Sequence, residues 1–533
     1  MTSVDVQVLI VGAGPAGTAL ALELARGGIA STVVERSSAP PLHPKMDFLN
    51  ARTMEHYARL GLESDIRQYG VPEDRDFRFL WRRDLDGPSL SDWRASSVAD
   101  QRADIQRATD GTMPARPYQR VLGSTLEGLS RDHCRASQLI DLREGVAVTG
   151  VEIGTDRVRA TLGDGTEITA SWLIGCDGAR SMVRKAAGIG MDEQGPAVTH
   201  TDVYLHSSDP RLTRDGMPFL IICGTGMTMV SRDGDRAWTA TYPHLNAELA
   251  AADPLEVVRA KAGGDLVIDE VLLTAQWEGR LAVADRYREG RVLLAGDAAH
   301  TFFPTGGHGA NTGIGDAINL GWKLAAVLRG EAGEGLLDSY SVERRPVALF
   351  AREMCSNLLE VWRRFPALVQ AGVPDAVLVS FLEHESHQIS NLGIHFAANY
   401  ADSPVVVGKV PAAERSWSWH GIEPSVAAGG RLPHLPLEGG VSSHDLLGPG
   451  WTLIDLHGRG DSLLAAAERR RLPLVRLRIP DEAALKVYGD NLILVRPDQH
   501  IAWSDAVVPA DPDLLLDRVT GLAEARQPTI ERN

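Results

Sequence analysis

Cysteine is nearly absent. The 533 residues carry four, Cys134, Cys176, Cys223 and Cys355, far apart and with no CxxC pair. That excludes a disulfide scaffold, a zinc ribbon and a CxxC disulfide reductase, and no metal-ligand cluster is expected. No run approaches the roughly 18 uninterrupted apolar residues of a membrane span. The first eleven residues lack the basic leader of a secretory signal, so a reducing cytoplasm is the expected compartment. Positive charge is in deficit: Lys plus Arg total 54 against 70 Asp plus Glu, a net charge of −16. Nucleic acid and anionic membrane need a basic face and are not expected partners. There is no internal repeat and no low-complexity tract. The one dense basic run, Glu468 to Arg471, reads as a solvated helix end. With 44 % apolar and 23 % charged residues, the chain can bury large cores, enough for three or four domains or two with insertions.

The opening residues are the most informative. Val6 to Val11 reads as a buried parallel strand. Gly12-Ala13-Gly14-Pro15-Ala16-Gly17 follows, then a helix over Thr18 to Arg26 closed by Gly27-Gly28, and a second strand over Ile29 to Val34 ending in Glu35-Arg36. This βαβ unit carries a GxGxxG turn. Gly12 allows the tight turn, Gly14 lets a pyrophosphate approach the backbone, and Gly17 lets strand and helix pack closely. Glu35 is placed to accept from a ribose 2′-hydroxyl, which suits FAD or NAD and disfavours a 2′-phosphate. The fingerprint occurs once, so a second nucleotide has no Rossmann domain of its own.

Further along, helices are expected over Ala51 to Leu60 and Gln119 to Ser130, and strands over Arg143 to Ile168 and Trp172 to Gly175. Residues 186–285 read as a sheet inserted into the nucleotide fold. Arg291 to Ala295 is a buried strand, followed by a glycine-rich loop and a helix over Gly313 to Leu328. A third β/α region has strands at Trp451 to Leu456, Leu474 to Leu477 and Leu492 to Val495, and helices at Leu463 to Arg471 and Asp511 to Leu522.

Three later segments decide the cofactor: Cys176-Asp177-Gly178, Ala295-Gly296-Asp297, and Pro304-Thr305-Gly306-Gly307-His308-Gly309-Ala310-Asn311-Thr312-Gly313. Side-chain-free positions in the last let backbone lie against a flat ring. A helix starting there turns its positive end toward that ring, worth roughly 0.3–2 kcal/mol to an anion. Together with the opening turn, these segments resemble the single-component flavoprotein aromatic hydroxylases, the para-hydroxybenzoate hydroxylase and phenol hydroxylase group, over residues 1 to about 400. Residues 491–504 resemble the final strands of the thioredoxin-like extension of the phenol hydroxylase branch, without its redox cysteines.

The resemblance implies an α/β fold. A Rossmann-like FAD-binding domain (1–75, 100–185 and 286–400) would carry an inserted mixed β-sheet substrate domain (76–99 and 186–285). A C-terminal thioredoxin-like domain (401–533) would follow. It implies FAD as cofactor, NADPH or NADH and dioxygen as co-substrates, and a small aromatic substrate. The implied substrate is a phenol or hydroxylated heteroaromatic, such as a natural-product intermediate, hydroxylated through a flavin C4a-hydroperoxide. The family often forms homodimers. FAD would be held by Gly12, Gly14, Pro15, Ala16, Gly17, Glu35, Arg36, Lys45, Gln119, Asp177, Asp297, Pro304, Gly307, Gly309, Ala310, Asn311 and Thr312. Asp47, in Asp47-Phe48-Leu49-Asn50-Ala51-Arg52-Thr53, matches the acid that helps ionise the phenol. His308 stands where the family more often has Gln and is the second catalytic candidate, while Lys45 stands where Arg is frequent. Cys223 and Tyr242 are the candidate substrate contacts; His206 and His244 are further pocket candidates, and His300 reads as structural. A same-fold flavoprotein with other oxidative chemistry and a non-catalytic FAD-bound binding protein are the alternatives. No Trp-x-Trp-x-Ile-Pro motif supports a halogenase.

Overall fold

The structure is a computed structural model describing residues 4–43, 46–389, 392–408 and 418–523. Its centre is an eight-stranded sheet. Val6–Val11 pairs in parallel with Ser31–Glu35 on one side and Glu167–Gly175 on the other. Ile140–Glu144 and Val292–Leu294 extend the parallel array, while an antiparallel hairpin, Val148–Ile153 and Val158–Leu162, joins its flank. The strands read as unbroken apolar runs because helices cover both faces; Val8, Ile10, Leu173 and Ile174 are fully buried.

Two helices on this sheet set the geometry of the site. Pro15–Arg26 starts three residues earlier than expected, and His308–Leu328 five residues earlier. They lie side by side and point the same way. A Cβ on Gly313 would meet Gly296 Cα at 2.8 Å and Ala16 Cβ at 3.6 Å. One on Gly321 would meet Glu23 Cγ at 2.5 Å, and one on Gly27 would meet Ala325 Cβ at 2.7 Å. The contacts advance together along both chains, so the helices are parallel and both N-termini sit at one end. Small residues at 313, 317 and 321 share one helix face and permit this approach.

The inserted sheet has seven strands, in the order Glu270–Gly279, Val198–His206, Ala237–Pro243, Met227–Ser231, Leu220–Cys223, Phe77–Arg82, Ser89–Ala95. Gln119–Arg120 is a short strand paired with Phe48–Leu49, and the helix expected from Gln119 begins only at Gly123. This pairing overrides the helical pattern there. The C-terminal region folds around a four-stranded mixed sheet, Leu474–Leu477, Trp451–Ile454, Leu492–Val495, Ile501–Asp505, with helices at Asp461–Arg469 and Pro512–Val519. The fold is thus α/β, a Rossmann-like unit with an inserted mixed sheet and a thioredoxin-like C-terminal part. No helix among the described residues is long and apolar enough to cross a membrane.

The C-terminal part is locked to the first by a buried ionic knot. Arg496 Nη1 and Nη2 donate to Glu343 Oε1 and Oε2 at 2.7 and 2.8 Å. Lys323 Nζ donates to the same Glu343 at 2.7 Å, and Asn319 Nδ2 donates to Glu343 and Asp498. Burial alone would raise the Glu343 carboxyl, but Arg496 and Lys323 hold it down at about 2. Glu343 lies on the 36-residue helix Gly335–Gln370. Removing one partner of such a knot strands a buried charge. Arg496→Met is expected to cost roughly 3–5 kcal/mol, read as a lower urea midpoint; an unchanged midpoint contradicts the knot's structural role.

Candidate functional site

The glycine turn is a cradle whose walls are backbone. Gly12 sits at φ +105°, and a Cβ there would lie 2.3 Å from the Cys176 carbonyl oxygen. A Cβ on Gly17 would lie 1.9 Å from that of Gly12. Gly14, the N-cap of Pro15–Arg26, has no heavy atom within 4 Å of its notional Cβ and offers no capping side chain. The helix therefore starts with no side chain capping its first-turn N–H groups, as a phosphate site requires. Glu35 ends its strand beside this turn. Its carboxylate accepts from Ala13 N–H at 2.8 Å and Ser37 N–H at 2.9 Å, which aims it across the cradle; Arg36 is exposed.

The second helix repeats the arrangement. His308–Leu328 follows a tight turn with Gly306 at φ +79° and Gly307 at φ +67°, and its N-cap Gly307 supplies no capping side chain. Gly309 meets open space. Two uncapped helix N-termini thus converge, and the Gly296–Asp297 turn passes between them: a Cβ on Gly296 would meet Ala16 Cβ at 2.9 Å. Residues 12–17, 296–297 and 307–313, remote in sequence, form one concave wall of backbone. The residues present fit FAD, with pyrophosphate against the first N-terminus and a flat ring against the second.

The wall is held from behind. Asp316, fully buried, accepts from Gly296 N–H at 3.3 Å and Arg344 Nε at 2.7 Å, and bonds His300 Nε2 at 2.7 Å. His300 is therefore structural, as expected, whereas Asp316 and Arg344 were not singled out in the sequence. Asn311 Nδ2 donates to the Phe48 and Gly307 carbonyls, and its Oδ1 accepts from Asn50 N–H. Thr312 gives its carbonyl to Arg344 Nη2. Asp177 caps the helix Met182–Ala186, accepting from Ser181 Oγ and the Met182 and Val183 N–H groups, and its Cα lies beside Gly12. Pro304 and Asp297 are exposed at the rim, and Ala310 lies between the open Gly309 and Asn311. Lys45 lies outside the described residues.

Across from this wall stands one face of the inserted sheet. Asp47 Oδ2 pairs with Arg232 Nη1 at 3.2 Å, both 9 % exposed, and Arg232 Nε donates to Thr239 Oγ1. Thr241 Oγ1 donates to Asp202 Oδ1 on the same face. Asp47 Oδ1 has no hydrogen-bond partner among the described residues. Phe48, Phe77, Phe219 and Tyr118 form an aromatic wall with centroid separations of 5.0–5.6 Å. The Arg120 guanidinium lies 4.3 Å over Phe219. Aromatic rings beside a carboxylate and a guanidinium suit a flat, hydroxylated molecule.

Several expected residues are placed elsewhere. Strand alternation puts Cys223 and Tyr242 on the opposite face, among Ile221, Met229, Trp238 and Val258; Thr239 and Thr241 take the inward positions. His206 pairs with Glu270 near the surface, and His244 bonds Thr201 beside Tyr242. Gln119 spends its amide internally, donating to the Val71 and Arg120 carbonyls and accepting from Arg67. His308 is buried, which pushes its imidazole down to about 4. Burial thus favours the neutral imidazole. Arg232, one step beyond the inserted strand Met227–Ser231, was missed because nothing local marks it.

Comparison with known proteins bears on this site. Residues 5–353 match the family model described as FAD binding domain, and residues 425–523 that described as Aromatic-ring hydroxylase, C-terminal. The chain is 30 % identical over 550 residues to the FAD-dependent monooxygenase apdD of Emericella nidulans, covering 93 % of this chain and 87 % of the relative. It is 29 % identical over 510 residues to the dialkyldecalin synthase of Streptomyces rugosporus, covering 93 % and 95 %. The solved structure of the rebeccamycin biosynthetic enzyme RebC with reduced flavin superposes with a TM-score of 0.85 at 31 % identity, covering 97 % of this chain and 99 % of that one.

The neutral state of His308 makes two predictions. In the unfolded chain the imidazole titrates near 6.5, above its folded value of about 4. The unfolded state therefore binds the extra proton first, and stability falls as pH drops through this window. His308→Gln is expected to flatten that fall in urea titrations at a series of pH values. It should also change kcat by less than about threefold, where loss of a true general base costs about a hundredfold or more. A hundredfold loss restores His308 as the base.

Proposed function

The chain belongs to the FAD-dependent aromatic-ring hydroxylases, and from that premise we propose that it hydroxylates a phenolic or hydroxylated heteroaromatic natural-product intermediate, with NAD(P)H and dioxygen as co-substrates. Bound FAD supplies hydride acceptance and dioxygen activation. The chain's own residues do the rest. The two uncapped helix N-termini bind the pyrophosphate and the anionic side of the ring system. Phe48, Phe77 and Phe219 exclude water and orient the substrate ring. Asp47 Oδ1 accepts the substrate hydroxyl proton or its hydrogen bond, which makes the ring more electron-rich. Arg232 fixes the carboxylate's rotamer and stabilises its charge. The observation that carries the reading is this opposition: backbone wall and helix N-termini on one side, Asp47–Arg232 and an aromatic wall on the other.

A second reading has one observation in its favour. A relative of nearly full-length overlap is named a synthase rather than a monooxygenase, so the same scaffold could serve a reaction without net oxygen insertion. The discriminating assay follows NADPH or NADH oxidation and product mass under air across a panel of phenols. Substrate-stimulated oxidation with a product one oxygen heavier supports hydroxylation; product of unchanged mass supports the second reading. Asp47→Ala is expected to keep the flavin spectrum, slow hydroxylation about a hundredfold and divert reducing equivalents to hydrogen peroxide. Unchanged coupling in that variant removes Asp47 from the chemistry.

A further inference from the structure

Nine of the described arginines are buried. Seven of them hold a carboxylate, as Arg344 holds Asp316 and Arg496 holds Glu343. Arg184 spends both Nη groups on the Ala298 and Ala179 carbonyls. Arg120 is the exception. It is 4 % exposed, yet it forms no ion pair among the described residues. Its Nη2 donates to the Ser231 carbonyl at 2.6 Å, and its Cζ lies 4.3 Å over Phe219. Nε is sealed without a partner. Nη1 has no partner either, but it is not among the sealed atoms and so keeps accessible surface. A buried charge left unanswered is costly.

The fold sets this cation beside the candidate acid. Arg120 is the strand partner of Phe48, and the Val121 N–H donates to the Asp47 carbonyl at 3.1 Å. Both side chains then reach the same turn of the inserted sheet. Arg120 takes the Ser231 carbonyl, and Asp47 pairs with Arg232, the next residue. Burial opposes the Arg120 cation, while Asp47 is near enough to favour it and Arg232 near enough to oppose it. Each of the three keeps one open atom. Arg120 Nη1, Arg232 Nη2 and Asp47 Oδ1 have no hydrogen-bond partner among the described residues, and none of them is sealed.

Two guanidinia thus meet one buried carboxylate, an excess of positive charge. The other titratable neighbours do not cancel it. Burial pushes the Tyr118 hydroxyl up and keeps it neutral, and it donates to the Ser96 carbonyl. Asp233 is exposed and accepts from the Asp235 and Ala237 N–H groups. The missing anion has to come from a bound molecule. We propose that Arg120 is a further catalytic residue, the cation that holds the substrate as an oxyanion. The substrate hydroxyl gives its proton to Asp47 Oδ1, which passes it to water. The oxygen keeps the bonding electron pair, and Arg120 Nη1 donates to it. Asp47 returns to its pair with Arg232, so two cations then face two anions. This rests on the proposed function in taking the Asp47 face as the substrate site.

The test reads ionisation, not turnover. 4-Nitrophenol, which is yellow only as its anion, is bound to the FAD-loaded full chain without NAD(P)H. Difference spectra over a pH series give the midpoint of its ionisation when bound. That midpoint is expected about one pH unit below the free phenol's, a tenfold gain in the ionisation constant. Arg120→Gln can still donate to the Ser231 carbonyl but carries no charge, and it should return the midpoint to the free value or above. Arg120→Lys should keep most of the shift. A residue that only pinned the turn would leave the midpoint unmoved in Arg120→Gln. Retained flavin absorbance reports folding, and the parent chain's own midpoint tests the proposal without any variant. No bound 4-nitrophenol, a parent midpoint equal to the free value, or an unmoved midpoint in folded Arg120→Gln overturns the proposal. Hydroxylation is scored separately by product mass with NAD(P)H under air. A shifted midpoint without a heavier product removes the hydroxylation reading and leaves the oxyanion site standing.

Discussion

Two parallel helices packed through glycine hold this structure's function. Pro15–Arg26 and His308–Leu328 touch at Ala16 and Gly313, at Glu23 and Gly321, and at Gly27 and Ala325. Parallel helices place like ends together. Here both positive ends meet at one spot, and neither N-cap, Gly14 nor Gly307, has a side chain to satisfy the free N–H groups. A structural helix normally solves this with Ser, Thr, Asp or Asn, for a gain of about 0.5–2 kcal/mol over Ala. Leaving two adjacent ends uncapped stabilises nothing in the empty protein. It makes sense when an anion and a flat electron-rich ring supply the missing partners.

The rest of the architecture keeps that spot rigid. Asp316 ties the Gly296 turn, His300 and Arg344 to the second helix. One and two turns further on, Asn319 and Lys323 join Glu343, Arg496 and Asp498, so the C-terminal part grips the same helix. Residues 401–533 contain no cysteine, so no thiol–disulfide exchange runs through that part. What it contributes is a buttress for the His308–Leu328 helix, through Arg496 and Asp498. The inserted sheet answers from the other side, where Arg232 reaches Asp47.

Much of this was legible in the sequence. The βαβ unit, the Gly-Asp turn and the glycine loop could be read because each glycine answers to a local backbone need, such as φ +105° at Gly12. The strands of the C-terminal sheet follow from short apolar runs. What escaped is non-local. Gln119–Arg120 looked helical, but pairing with Phe48–Leu49 decided its conformation. Cys223 and Tyr242 were chosen by residue type, and strand parity turned them away from the site. Arg232, Asp316 and Arg344 carry no motif; the ion pairs that place them join residues 185 apart for Arg232–Asp47 and 28 apart for Arg344–Asp316. The neutrality of His308 depends on burial that no spacing reveals.

The central claim is that the open helix N-termini are the FAD site, and Gly14→Asp tests it most directly. Gly14 has ordinary φ and ψ of −73° and −176°, and its notional Cβ meets nothing, so the backbone tolerates the change. An Asp there caps the helix but sets a carboxylate where the pyrophosphate belongs. Equilibrium FAD binding should weaken about a hundredfold or more, the cost of roughly 2.7 kcal/mol, while the apo protein unfolds at the same or higher urea concentration. Undiminished FAD affinity in a folded Gly14→Asp protein would contradict the account.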